Sequence, residues 1–384
     1  MRSPVKLAWR QLTRERLRFA VALAGVAFAV VLMLMQLGFR NALFASSVRY
    51  HELFRADVVL INPQSSYLVQ MKSFPRRRLD QALGAAGVES VSPIYCGLAF
   101  WENAENGLTR NIFLIGFDPD EEVLAIPEII AQREAMRLPD QVLFDRASRP
   151  EYGAIAQGLA QGRRLEAELN ERRIRVAGTF QVGTSFGIDG TVVTSDINFQ
   201  RIHPERPPGL IEIGLVRVKA GVDPAQVKDA LAAALPKDVL VLTKQEYIDR
   251  EVDYWATVTP IGYVFSFGVM IGFGVGAIIV SQILFADVSD HLAEYATLKA
   301  IGYNNRYLYG VVLSQAVILA ALGYLPGLTL SIGLYRLAEN ATLLPLTLAP
   351  SIGLLVLTLT VSMCCLSGAL ALRKLHKADP AEIF

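Results

Sequence analysis

The stretch FAVALAGVAFAVVLMLMQLGF, running from Phe19 to Phe39, carries no charged side chain. A helix needs ~20 such residues to cross a hydrocarbon core, so this segment reads as a membrane span. Working outward, three more charge-free runs appear at Trp255–Ala286, Leu308–Tyr335 and Ala341–Leu372. The first run stands far from the other three, and the long gap between them has a mixed, soluble-looking composition. The expected fold is therefore an α-helical membrane protein with four transmembrane helices. A large α+β extracytoplasmic domain lies between the first and second. Residues 1–18 precede the first span (19–39), and the domain occupies 40–254. The second span is 255–286, a loop follows at 287–307, and the third span is 308–335. A short loop at 336–340, the fourth span at 341–372 and a tail at 373–384 complete the chain.

Charge supplies the orientation. Arg2, Lys6, Arg10, Arg14, Arg16 and Arg18 stand before the first span against the single acid Glu15. Arg373, Lys374 and Lys377 follow the last span, and Lys299 and Arg306 lie between the second and third. The loop between the third and fourth spans has Arg336 alone. The positive-inside rule puts both termini and the 287–307 loop in the cytoplasm, and the large domain in a periplasm or its equivalent. The apolar run at 19–39 is longer than the core of a secretory signal, and no small-x-small cleavage site follows it. Retention as a helix is expected.

The formal net charge is only +1, so no global field points to nucleic acid. Of the three cysteines, Cys364 and Cys365 sit in the fourth span and Cys96 in the outer domain, so disulfides are not expected to staple that domain. The four histidines, His51, His203, His291 and His376, are scattered, which offers no metal-ligand spacing. No Gly-x-x-x-x-Gly-Lys-[Ser/Thr] loop is present to cradle ATP phosphates, and no nucleophile elbow or His-Glu-x-x-His appears. No acid or base lies inside the four runs, which argues against a carrier with a buried proton relay. Asp57, Asp118, Asp120, Glu121 and Glu122 offer carboxylates to an outer catalytic domain, but they read better as acidic surface loops.

Before the first span, Val5, Ala8, Trp9 and Leu12 follow helical spacing beside a stripe of Lys6, Arg10 and Arg14. This is the pattern of an amphipathic interfacial helix in contact with membrane lipids, or of a basic anchor that only sets topology. Arg40–Asp57 and Thr243–Trp255 keep helical periodicity and are expected to extend the first and second spans outward as a paired stalk. Between them, Val58–Ile61, Val88–Val91, Ile112–Gly116, Val142–Phe144, Ile174–Phe180, Gly190–Thr194 and Ile211–Val218 read as strands. Leu79–Ala86, Pro127–Arg133 and Pro224–Leu235 read as helices, the last capped by Asp223. Arg146–Gly162 gives no clear pattern. In the second span, Gly268, Gly272 and Gly276 form overlapping small-residue motifs suited to close helix packing or dimerisation. Pro326–Gly327 predicts a kink in the third span.

The 287–307 loop is longer than a connector needs to be. Asp287, Ser289 or Asp290 can cap a short helix, and Leu292, Tyr295, Ala296, Leu298 and Lys299 give it two faces. Gly302 is placed to stop it. Here a family becomes recognisable. Asp290-His-Leu-Ala-Glu-Tyr-Ala-Thr-Leu-Lys-Ala-Ile-Gly-Tyr303 resembles the coupling-helix motif of MacB/FtsX/LolC-type ABC transporter permeases, most closely the DevC-like branch. Leu143-Phe-Asp-Arg-Ala-Ser-Arg-Pro150, Thr259-Pro-Ile-Gly262 after Tyr254-Trp255, Leu7-Ala-Trp-Arg-Gln-Leu12 and Ala378-Asp-Pro-Ala-Glu382 fit the same resemblance. MacB itself carries a fused ATPase domain, so that similarity covers its membrane part.

The resemblance implies a non-catalytic permease subunit with no cofactor of its own, ATP and Mg being bound by a partner ATPase. It implies a homodimer of this chain above two ATPase copies. The coupling helix would meet the ATPase, with His291, Glu294, Tyr295, Thr297, Lys299 and Gly302 as contact residues. It further implies mechanotransmission to the outer domain and export of a lipid-like or amphiphilic substrate. The setting would be a tripartite assembly with a periplasmic adaptor and an outer-membrane channel, in the inner membrane. The alternative is an FtsX-like transmembrane regulator of a periplasmic hydrolase.

Overall fold

The structure, a computed structural model, describes residues 4–103 and 107–377, with the side chains of 373–377 left aside. Arg2, the basic side chains after the fourth span and the Ala378–Glu382 motif therefore lie outside the described residues. The helices are α1 (Pro4–Arg14), α2 (Arg16–Ser47), α3 (Arg49–Leu53), α4 (Arg77–Leu83), α5 (Pro127–Ala131), α6 (Arg133–Met136), α7 (Ile155–Ala160), α8 (Asp196–Ile202), α9 (Pro224–Ala234), α10 (Lys244–Asp253), α11 (Ile261–Asp290), α12 (Leu292–Ala300), α13 (Asn305–Thr342) and α14 (Pro350–Lys377). The strands are β1 (Val58–Ile61), β2 (Phe74–Pro75), β3 (Val88–Glu102), β4 (Thr109–Phe117), β5 (Gln141–Asp145), β6 (Leu165–Leu169), β7 (Arg172–Phe180), β8 (Thr191–Ser195), β9 (Leu210–Ile211), β10 (Ile213–Val218) and β11 (Leu240–Thr243). The chain divides into two compact units, residues 1–42 with 260–384, and residues 43–259.

In the first unit, α2, α11, α13 and α14 are each long and apolar enough to cross a membrane. They approach through missing side chains. A Cβ on Gly323 or Gly327 of α13 would lie 2.6 or 2.7 Å from Val26 or Val30 of α2. One on Gly276 of α11 would meet Ala29 at 2.7 Å. Lipid supplies no hydrophobic drive between helices, so such close contact is what holds them. Three expectations are corrected here. The second span begins at Ile261, not Trp255, because the chain leaves α10 through a π turn at Tyr254–Val258 and extends at Thr259 before Pro260. That break also separates the second stalk from the span it was expected to continue. The loop expected at 336–340 lies instead at 343–349, because α13 runs on to Thr342 and ends at Leu343 in the left-handed region (φ 59°). Pro326 sits inside α13 without ending it, and the Gly323/Gly327 pair flanking it is a packing face.

In the second unit a nine-stranded sheet runs β11-β1-β10-β3-β4-β8-β5-β7-β6. The long β3 also pairs with β6 through Trp101↔Leu169, so the strands from β3 round to β6 close on themselves. Closure removes the exposed edge that a free β6 would present. Strands such as β1 and β8 are buried on both faces, their alternate side chains entering different cores. Val58 and Leu60 join one core with Trp101, Phe144 and Tyr152. Val59 and Ile61 join the other with Phe113, Ile115 and Phe180. Such strands lose the in–out alternation that marks a half-buried strand and read as continuous runs such as Val58–Ile61, whereas β6 keeps it, with Glu166 and Glu168 exposed. β6, β11, α7 and α8 have no counterpart in the sequence reading. The first stalk segment is the end of α2 plus α3, and α3 packs against α10, His51 and Tyr247 lying 4.3 Å apart ring to ring. Thr243 and Glu246 form a full capping box that starts α10.

Candidate functional site: the helix between the second and third spans

α11 does not end at Ala286 but continues to Asp290, and α12 starts two residues later at Leu292. α12 stops in a Schellman motif: Tyr303 N–H donates to Leu298 O and Gly302 N–H to Lys299 O, both at 3.0 Å. Gly302 takes φ 95°, a backbone state that a side chain would strain. Its helical period divides α12 into two faces. His291 and Tyr295, four apart, turn inward and are 7% and 1% exposed. Glu294 and Thr297 turn outward, and Lys299 is half-buried. Burial pushes the Tyr295 phenol well above its ordinary pKa, so it stays a donor.

α1 lies beside this helix. Arg14 Nη1 is 3.4 Å from Glu294 Oε1, and Arg18 bonds Asp290. Between them runs an open groove of about 860 Å³ lined by Lys6, Leu7 and Arg10 on one side and Glu294, Thr297, Leu298 and Ile301 on the other. Beneath it is a buried polar cluster that joins α1, α11, α12 and α13. Gln315 Nε2 donates to Asp287 Oδ2 at 2.6 Å and to Gln11 Oε1 at 3.2 Å. Tyr295 OH donates to the same Gln11 oxygen at 3.2 Å. Gln11 and Gln315 are 4% and 0% exposed.

A model of the FtsX-like permease C-terminal domain matches residues 260–380, and a model of the MacB-like periplasmic core domain matches residues 19–234. The chain belongs to the MacB/FtsX-type ABC transporter permeases. Among solved structures it is similar to the periplasmic region of MacB from Actinobacillus actinomycetemcomitans (10% identity, TM-score 0.36, 53% of this chain and 94% of that one). It is also similar to the extracellular domain of the noncanonic ABC-type transporter YknZ from Gram-positive bacteria (8%, TM-score 0.31, 49% and 99%). Likenesses this distant carry none of the argument. No curated protein matches the chain.

This permease is thus a multi-pass inner-membrane subunit of an ABC system. Its site residues fall into three groups. Glu294 and Thr297 share the accessible side of α12, Lys299 is half-buried one turn beyond Tyr295, and Gly302 sets where the helix ends. His291 and Tyr295, expected at an ATPase surface, instead face the bundle, because the i, i+4 pair lies opposite Glu294 and Thr297. The third group, Gly268, Gly272 and Gly276, is already occupied within the chain by Gln36, Met33 and Ala29 of the first span, with Met363 of α14 also on Gly276. Within the chain that stripe packs α11 against α2 and α14. The side of α11 left open carries Tyr263, Phe267, Met270 and Ile278.

Gln11 and Gln315 escaped the sequence reading, and Asp287, Ser289 and Asp290, expected to cap α12, instead lie within α11. Asp287 lies just beyond the charge-free run and Gln11 inside a basic amphipathic helix. Gln315 did carry a signal: it is the one amide in the third run, and polar groups inside a span are expensive enough to demand a partner. The Leu143–Pro150 motif proves structural. Asp145, fully buried, accepts backbone N–H bonds from Ala147, Val182 and Gly183 at 3.0, 3.2 and 2.7 Å. Burial raises its pKa against those three bonds. Among the described residues no group of three His, Cys, Asp or Glu side chains could hold a metal ion.

Proposed function

We propose that this permease transmits ATP-driven movement from a separate ATPase subunit to its MacB-like domain and thereby drives export of a lipid-like or amphiphilic substrate. The observation that carries this reading is α12: a short helix between two spans whose outward face offers Glu294 and Thr297, beside the basic α1. A helix that presents polar side chains outward while its other face is fixed in the bundle can receive a push and pass it on. In this reading α12 and both termini are cytoplasmic and the ATPase, in two copies, holds ATP and Mg. The permease works as a homodimer. A periplasmic adaptor and an outer-membrane channel complete a DevC-like assembly.

Glu294→Lys tests it. The new cation would face Arg14 and reverse the charge offered to the partner. The variant is expected to fold and to co-purify with the ATPase, while hydrolysis no longer drives export. Normal coupling would remove α12 from the mechanism. Co-purification from membranes separates the two functional classes: an adaptor protein supports export, a cell-wall hydrolase supports regulation.

A further inference from the structure

The polar cluster beneath α12 is complete except at one atom. Gln315 Nε2 spends its two hydrogens on Asp287 and Gln11, and Gln11 Oε1 spends its two lone pairs on Gln315 and Tyr295. Gln315 Oε1, fully buried, has no hydrogen-bond partner. Turning the Gln315 amide over would not help, because its carbonyl would then face the Asp287 carboxylate. Gln11 Nε2, on the amide that already accepts from Gln315, reaches outward to Glu294 Oε2 at 3.4 Å, a long bond to an accessible side chain.

We infer that Gln11 and Gln315 form a two-position switch: when the partner ATPase takes Glu294, the Gln11 amide turns to the Gln315 carbonyl and closes a reciprocal amide pair that clamps α1 to the third span. Half of that pair already exists, since Gln315 Nε2 donates to Gln11 Oε1. Closing the other half satisfies the orphan oxygen in a low-dielectric setting where an unpaired polar group is costly. Gln11 and Gln315 are then positioning residues, and α1 is a moving part rather than a fixed anchor. This rests on the ATPase-driven reading above for its trigger, though not for the pair itself.

Two measurements on the full-length permease in nanodiscs separate these. In the first, without ATPase, Gln11→Met, Gln315→Met and the double variant are melted. A pair acting as one unit gives a double variant no less stable than the worse single, and additive losses overturn the pair. In the second, with ATPase, Gln315→Met is expected to keep ATPase co-purification and the KM for ATP, while permease-dependent turnover falls about tenfold. Wild-type turnover, or loss of co-purification, overturns the switch. Should Gln315→Met fail to fold, Gln11→Met carries the same test. A wild-type permease that neither binds nor stimulates an ABC ATPase sinks the proposed function instead, and the melting result still judges the pair.

Discussion

The two units of this permease solve the packing problem in opposite ways. The membrane unit packs by omission, with Gly323, Gly327, Gly272 and Gly276 letting Val26, Val30, Met33 and Ala29 approach as backbone neighbours. The intervening domain packs by addition, with Trp101, Tyr152, Phe113 and Phe180 among its largest fully buried side chains. The solvent decides which works. In water, large apolar surface gains free energy on burial in proportion to its area. In lipid that gain is absent, and only contact itself is left to reward proximity.

The comparison breaks if one unit's defect spreads fully into the other. Trp101→Ala should cost the intervening domain about 3–5 kcal/mol, the usual range for emptying an aromatic core site. The expected result is an early melting step of the domain followed by an unchanged membrane unit, seen by hydrogen exchange resolved along the chain. A single cooperative transition for both would show that the units are energetically one. The mirror experiment is Gly276→Leu, where overpacking against Ala29 and Met363 should cost about 1–3 kcal/mol. Here the membrane unit should loosen in detergent while the environment of Trp101 keeps its fluorescence signature. A variant as stable as wild type would mean that α11 does not need its close approach to α2.

The smallest effect sharpens the domain's side of the contrast. Asp140 accepts bonds from Arg172 at 2.6 and 3.1 Å, and these hold its carboxyl below the ordinary range, with the nearby Arg201 charge adding to them. A depressed folded-state pKa means stability present above the unfolded value and lost as pH falls through the folded one. Both groups are about a third exposed, so Arg172→Gln should cost less than about 1 kcal/mol at neutral pH. The difference from wild type should close in strong acid. An equal loss at every pH would assign the effect to packing.

What could be read in advance follows from the same contrast. Spans are visible because a charge-free run is a one-dimensional signal, and Gly302 because a left-handed stop has one favoured residue. Ser195 and Asp196 do start α8, the Ser195 hydroxyl accepting from Asn198 N, yet a cap without a long periodic helix behind it is easily passed over. β6, with exposed Glu166 and Glu168 alternating with buried Ala167 and Leu169, was hidden by its mixed charges. The polar cluster was illegible for a deeper reason. Gln11 stands 304 residues before Gln315, Asp287 and Gln315 lie 28 residues apart on different helices, and nothing local in any of them announces the other two.

α3 and α10 open and close the intervening domain, and they touch: Lys244 Nζ donates to the carbonyls of Glu52 and Phe54 at 2.8 and 2.7 Å. A domain whose way in and way out are side by side can be spliced between two neighbouring helices with little loss of loop entropy. It can also be lifted out and replaced. Membrane subunits built this way can inherit a new outer domain by recombination without redesigning the helices that carry it.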